Sequence, residues 1–291
     1  FKRGEDVPLP PLNQRQRAAG RRLLPVLRRM GAAQRDGDAS RTRKEYSEAV
    51  ALVHRMHYLL VGAPGTGKSL LLRTLLQLMD EEDLGCAIFS AYTGVAVTAL
   101  PLPAATYCKL TGIPGDAGST LEDLPAASDR AQRTFNAIVG DAHRLIMIVL
   151  DEASFLGTPH LHHLDQRLQQ LLGCKLPFGG LVVVLAGDFH QLQPVSGYAL
   201  HTSLVLEAVP DADLEALGIT GKKSDVGADR KGTKLLAEFQ RMLLTEPMRA
   251  ADDKRLAKNL ECQRDTTCPQ PVTEDFIDLL ISQQLTADAI Q

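Results

Sequence analysis

The stretch YLLVGAPGTGKSLLLRTLLQLM, residues 58–79, decides the fold. It opens on an unbroken apolar tetrapeptide, breaks at Gly62, and resumes after Lys68 with leucines and a methionine at helical spacing. A strand-like run, a glycine loop and a helix in that order make one β-loop-α unit. Gly62, Ala63, Pro64, Gly65, Thr66, Gly67, Lys68 and Ser69 satisfy G-x-x-x-x-G-K-[ST] in the setting the motif requires. Such a loop folds into a nest of N–H groups aimed at phosphate oxygens, and the helix N-terminus behind it adds positive partial charge. Lys68 is expected to reach the β- and γ-phosphates of a nucleotide, and Ser69 to ligate Mg²⁺.

Three further apolar runs have strand length: 86–91 (CAIFSA), 145–150 (LIMIVL) and 181–186 (LVVVLA). None alternates, which fits strands covered on both faces, as in a parallel sheet flanked by helices. Helical patterns at 68–79 and 159–172 complete a β-α repeat and predict an α/β fold. The run 145–150 ends in Asp151-Glu152, two carboxylates at the edge where open α/β sheets bind ligands. Asp151 suits a magnesium shell and Glu152 suits the base that orients and activates water, since phosphoryl transfer needs mainly positioning and charge neutralisation. A capping Asp-Glu at a helix start is the plain alternative. After 181–186 comes GDFHQLQPV, in which Gln191 is a candidate γ-phosphate sensor or a simple turn residue, and His190 reads as surface.

The chain has 291 residues, 44% hydrophobic and 23% charged, which excludes wholesale disorder and collagen-like repetition. No apolar run approaches the ~18 residues of a membrane span, so no membrane partner is expected. Cys86, Cys108, Cys174, Cys262 and Cys268 are odd in number and scattered, which supports a reducing compartment over a disulfide framework or zinc site. The chain opens on Phe1 and is expected to be a fragment or processed product. The net charge of −3 is unevenly spread: residues 1–45 hold 12 Lys and Arg against 5 Asp and Glu, leaving the remainder at −10. This basic arm is either a nucleic-acid contact or a solvated arginine-rich helix face. From Pro11 to Met30 the apolar Leu12, Leu23, Leu24, Val26 and Leu27 sit among arginines as in a helix with one buried face, which Pro25 is expected to kink or restart, and 31–45 is expected to be a polar linker. Residues 112–133 and 207–233 read as long surface insertions, with helical patterning resuming at Thr233.

GAPGTGKS, AYTGVAVTAL, VLDEAS and PFGGLVVVLAGDFHQLQPV, in this order and spacing, resemble the petite-integration-frequency (Pif) type DNA helicases, RecD-like members of superfamily 1B. The likeness covers about residues 58–198 and resumes at LLTEPMRAAD, residues 243–252. The resemblance implies a RecA-like motor domain that hydrolyses ATP with Mg²⁺ and moves 5′-to-3′ on single-stranded DNA. It implies that Arg249 is an arginine finger on the γ-phosphate, where the sequence by itself reads a helix-surface arginine, and that Thr93, Gly94 and Thr106 touch DNA phosphates, with ordinary loop residues as the alternative. It also implies an adenine-reading Gln near the N-terminus, for which Gln16 is the candidate, with a polar helix face as the alternative. Cys108 stands where the family usually has His, and Gln193 where it has the first Pro of LPPV.

The fold is therefore expected to be α/β, a P-loop NTPase with a RecA-like parallel sheet and the start of a second RecA-like domain. The expected boundaries are a basic helical arm and linker at 1–45, an ATPase core at 46–206, a flexible insertion at 207–233 and a helical entry to the truncated second motor domain at 234–291. The expected function is an ATP-dependent DNA helicase of repair, recombination and telomere or genome maintenance, in the nucleus or else the mitochondrion. It is read as a monomer as a fragment, unable to unwind DNA alone. A P-loop ATPase or kinase that never translocates, and a helicase-derived binding relic, are the rivals.

Overall fold

A computed structural model of the chain describes residues 10–35, 43–51, 55–100, 103–113, 123–189, 191, 200, 227–246 and 248. Six strands form one sheet: β1 (His57–Gly62), β2 (Cys86–Ala91), β3 (Ala104–Thr106), β4 (Leu145–Asp151), β5 (Val182–Gly187) and β6 (Gln240–Leu244). Their order is β3-β2-β4-β5-β1-β6, and every pairing is parallel. β4 and β5 are apolar because both faces are covered. In β5, Val182, Val184 and Ala186 enter one core layer while Val183 and Leu185 enter the other.

The first layer is built by α1 (Gln14–Arg35) and α3 (Lys68–Glu81), with α2 (Arg43–Ala51) packed on α1. The second is built by α5 (Tyr107–Thr111), α6 (Asp129–Val139) and α7 (Thr158–Leu172). α4 (Gly94–Ala99) lies between β2 and β3, and α8 (Gly227–Ala237) packs along α7.

Several expectations are corrected. The basic N-terminal segment is not an arm: Ala19, Leu23, Val26, Leu27 and Met30 recur at helical spacing, and this stripe is buried in the first layer. Its arginines occupy the opposite, exposed side, so the buried face read for 11–30 is present and the charge is that of a solvated helix face. Pro25 does not end that helix, which continues to Arg35; it sits on the exposed side, where water can meet the carbonyl it leaves unbonded. The 31–45 linker is helical up to Arg35 and again from Arg43. Of the 112–133 insertion, Ser128 caps α6 through Ala131 N. Helix returns at Gly227 rather than Thr233. A boundary at 234 falls inside α8, and Gln240–Leu244, read as part of a helical entry, is the edge strand β6 beside β1. Its exposure alternates, as an edge strand's does, with Met242 and Leu244 buried and Arg241 and Leu243 outside. Residues 1–9, 201–226 and 249–291 lie outside the described residues, and with them the entry to a second domain.

Candidate active site

The carboxyl ends of β1, β4 and β5 lie side by side, and the loops leaving them bound a cleft of about 700 Å³. Pro64, Gly65, Gly67, Lys68 and Ser69 line it from the loop after β1, Asp151 and Glu152 from β4, and Gly187, Asp188 and Gln191 from β5. Five of the residues singled out from sequence for nucleotide chemistry, Lys68, Ser69, Asp151, Glu152 and Gln191, are thereby brought together.

The loop is held in shape by its own bonds. Thr66 donates its hydroxyl to Ala63 O at 2.8 Å, and the Lys68 ammonium donates to Gly62 O at 2.6 Å and Ala63 O at 3.2 Å. Gly67 has φ +80°, a left-handed conformation that disfavours a side chain, and a Cβ there would sit 2.0 Å from Gln16 Nε2. Glycine is needed twice over at this position.

Gln16 is buried, and its partners differ from those implied by the resemblance. Its Oε1 accepts from Asn13 N while its own N–H donates to Asn13 Oδ1, both at 2.8 Å, a reciprocal capping box that starts α1. Its Nε2 donates to Thr66 O at 3.1 Å and Gly67 O at 3.3 Å. The amide thus braces the phosphate loop from below. Beside it, Met248 N donates to Gly65 O at 2.7 Å, and Asn13 Nδ2 donates to Met248 Sδ at 3.3 Å. Arg249 lies outside the described residues, one position beyond this contact.

Asp151 is partly buried; burial pushes its carboxyl up, against the pull of the Glu152 amide and the Lys68 ammonium. Its Oδ1 accepts from Glu152 N at 2.9 Å. Glu152 adopts φ 55°, ψ 40°, left-handed for a residue other than glycine, and caps the 3-10 turn Ala153–Phe155. Such a backbone costs about 1–3 kcal/mol and marks functional turns. The Glu152 Oε2 atom accepts from the Thr93 hydroxyl at 3.2 Å.

Thr93 follows β2 by two residues, and Thr106 is the last residue of the neighbouring β3. Each caps a short helix, Thr93 receiving Ala96 N and Thr106 receiving Lys109 N, both at 3.2 Å. Gly94 is exposed with open space around it, and Val95 beside it is 83% exposed. Tyr92 stacks on Phe155 and Tyr107, and the Tyr107 hydroxyl donates to His160 O at 3.0 Å. Burial pushes the Tyr107 phenol far up, so it stays neutral.

Sequence reading missed Arg73 and Asp188, which line the cleft, and the bracing by Asn13 and Met248. Asp188 could have been found, since it directly follows β5 as Asp151 ends β4; Arg73 is one helical turn beyond Ser69. Asn13 carries a signal only as the first member of a capping box with Gln16.

Parallel sheet, phosphate loop and strand-end carboxylates together define a P-loop NTPase domain of RecA-like fold. Residues 41–214 match the PIF1-like helicase family, and the chain belongs to it. ATP-dependent DNA helicase PIF7 of Trypanosoma brucei brucei is 29% identical over 206 residues, 68% of this chain and 20% of that protein. PIF1 of Candida albicans is 28% identical over 220 residues, 75% of this chain and 22% of that protein. RRM3 of Saccharomyces cerevisiae is 31% identical over 143 residues, 49% and 19% of the two chains. Among solved structures, Pif1 from Bacteroides in complex with ADP-AlF3 and ssDNA superposes with a TM-score of 0.52 at 21% identity, covering 83% of this chain and 49% of that one. Bacteroides Pif1 bound to ssDNA gives 0.51 at 22%, covering 84% and 49%. The chain spans about a fifth of the length of these curated relatives and about half of these solved chains. Among the described residues no helix is long and apolar enough to cross a membrane.

Proposed function

We propose that this chain is the first motor domain of an ATP-dependent DNA helicase, hydrolysing ATP in the cleft between β1, β4 and β5 and coupling that reaction to 5′-to-3′ movement on single-stranded DNA. The observation that carries the reading is the convergence of Lys68, Ser69, Asp151, Glu152 and Gln191 on one cleft. The loop amides and Lys68 would hold the phosphates, which replace the carbonyls of Gly62 and Ala63 as acceptors for the ammonium. Ser69 and Asp151 are hard oxygen donors in the same cleft and fit Mg²⁺, which keeps most of its waters and takes few protein ligands. Bound there, Mg²⁺ would neutralise negative charge on the phosphates. Glu152 orients and deprotonates the attacking water, and Gln191 meets the γ-phosphate. Arg249 would act as the arginine finger; the Met248–Gly65 bond one residue earlier supports it. To Gln16 we assign the bracing of the loop, since its Nε2 already donates to Thr66 O and Gly67 O.

Thr93, Gly94 and Thr106, at the same edge of the sheet, would meet DNA phosphates, where small residues permit close backbone approach. Residues after Met248 would lead into the second RecA-like domain. PIF7, PIF1 and RRM3 above are ATP-dependent DNA helicases of eukaryotes, and on that footing we place the chain in DNA repair, recombination and telomere upkeep, in the nucleus first and the mitochondrion second. ATP turnover with and without oligo-dT tests the reading. Wild type is expected to hydrolyse ATP faster with DNA, and Glu152→Gln to bind ATP normally and lose turnover. Equal turnover in the two proteins overturns the catalytic assignment, and turnover indifferent to DNA favours a P-loop ATPase that does not translocate.

A further inference from the structure

β2 and β4 are adjacent, in a register that pairs Ala91 with Asp151. Glu152 is the first residue after β4 and Thr93 the second after β2, so the candidate water-activating carboxylate and a candidate DNA-contacting hydroxyl leave neighbouring strand ends. Their side chains meet, Thr93 Oγ1 donating to Glu152 Oε2 at 3.2 Å. A hydroxyl has one proton to donate. Thr93 can give it to the carboxylate or to a phosphate oxygen, but not to both. The same oxygen accepts from Ala96 N, so the cap on α4 persists whichever acceptor takes the proton.

Three features hold Glu152 toward this partner: its left-handed backbone, its amide bonded to Asp151 Oδ1, and the Thr93 hydroxyl. Tyr92, stacked between Tyr107 and Phe155, fixes the loop that presents Thr93. The first two features lie within β4 and its turn. The third comes from the segment after β2, which also carries Gly94, a second candidate DNA contact.

We propose that Thr93 is a positioning residue that couples DNA to hydrolysis: its hydroxyl restrains the Glu152 carboxylate in the DNA-free protein and is handed to a DNA phosphate on binding, which frees Glu152 to accept from water. This rests on the reading of Thr93 as a DNA contact, and the two can be separated. Thr93 itself makes no bond to the nucleotide or to the attacking water.

The test is a double-mutant cycle on affinity for fluorescent oligo-dT by anisotropy, which needs no turnover: wild type, Thr93→Val, Glu152→Ala and the double variant. Any loss of the α4 cap is common to both backgrounds and cancels, as does the repulsion between Glu152 and phosphate. Thr93→Val is expected to weaken DNA binding about fivefold more in the Glu152→Ala background than in the wild-type one, the low end of coupling between sites. Equal, non-zero losses in the two backgrounds overturn the shared hydroxyl while leaving the DNA contact standing. No loss in either background overturns the DNA contact and the coupling with it. ATP turnover gives a second readout: without DNA, Thr93→Val is expected to run severalfold faster than wild type and to lose DNA stimulation, with Thr93→Ser restoring both. A DNA-free rate in Thr93→Val at or below wild type overturns the restraint.

Discussion

Lys68 and His57 mark the two ends of β1, and each carries a consequence that one substitution reads. At the carboxyl end the Lys68 ammonium is bonded to Gly62 O and Ala63 O, within reach of a phosphate in the same loop. Lys68→Ala is expected to weaken ATP binding at least tenfold, as charge-assisted bonds contribute about 1.5–3 kcal/mol each, without lowering thermal stability. Equilibrium titration with a fluorescent ATP analogue checks this, and unchanged affinity counts against the site. At the amino end His57 packs on Phe178 and Phe239, with ring centroids 4.9 and 5.3 Å away, and burial pushes its pKa down to about 4. The unfolded imidazole titrates near 6.5, so between those values the unfolded chain binds a proton that the folded chain does not. Stability therefore falls as pH drops through this window and levels off below it. Integrated from pH 7.5 to pH 5, that is about 2 kcal/mol for a fully buried ring, and less here because His57 keeps some contact with water. His57→Phe should lose less stability over the same range in urea denaturation; identical pH dependence would remove His57 as the cause.

Elements were legible where one local pattern sufficed. Unbroken apolarity marked β1, β2, β4 and β5, and the strand ends then placed Lys68, Asp151 and Glu152, because a residue just past a buried parallel strand has one edge to emerge on. β3 was missed because Ala104–Thr106 is three residues with no β-branched or aromatic run, and β6 because an edge strand with exposed Arg241 and Leu243 does not look buried. The Thr93–Glu152 bond depends on strand order, which no local window contains. The packing of α8 on α7 was equally hidden, and it turns on one residue. A Cβ at Gly232 would lie 1.9 Å from Thr158 O, a backbone atom that cannot swing aside. Gly232→Ala gains intrinsic helix propensity of about 1 kcal/mol, yet it should still destabilise, since overpacking typically costs about 1–3 kcal/mol and separation of the helices more. Thermal denaturation decides the sign, and a raised melting temperature would show that α8 does not rest on α7 in this way.

At the scale of the whole molecule, the direction of α1 separates its two readings, basic arm and core helix. Near its start Gln16 touches Thr66 and Gly67 at the carboxyl edge of the sheet; near its end Gln34 Nε2 donates to His143 O, just ahead of β4 at the amino edge. The helix thus crosses the whole sheet. Arg22 lies toward the amino edge, where its carbonyl accepts from the Tyr58 hydroxyl, and Arg28 pairs with Glu82 at the end of α3. Charges placed there are remote from the edge that carries Thr93 and Thr106. Counterion release scales with phosphates neutralised, at about 0.7 per contact for single strands. Arg22→Gln with Arg28→Gln should therefore leave the salt dependence of oligo-dT binding unchanged, whereas an arm wrapped on DNA would lose more than one unit of slope. Truncating residues 1–35 should do something different in kind. It removes Leu23, Leu27 and Met30, all at 0% exposure, along with Val26 and Ala19, and it uncovers Leu71, Leu72 and Leu75 on α3. At about 1.5–3 kcal/mol for each large side chain, the loss rivals the whole 5–15 kcal/mol that holds a domain folded. The truncated chain should lack a cooperative unfolding transition by circular dichroism, so its failure to bind DNA would report lost structure. A folded, cooperative truncation with a flattened salt slope would restore the arm and displace α1 from the core.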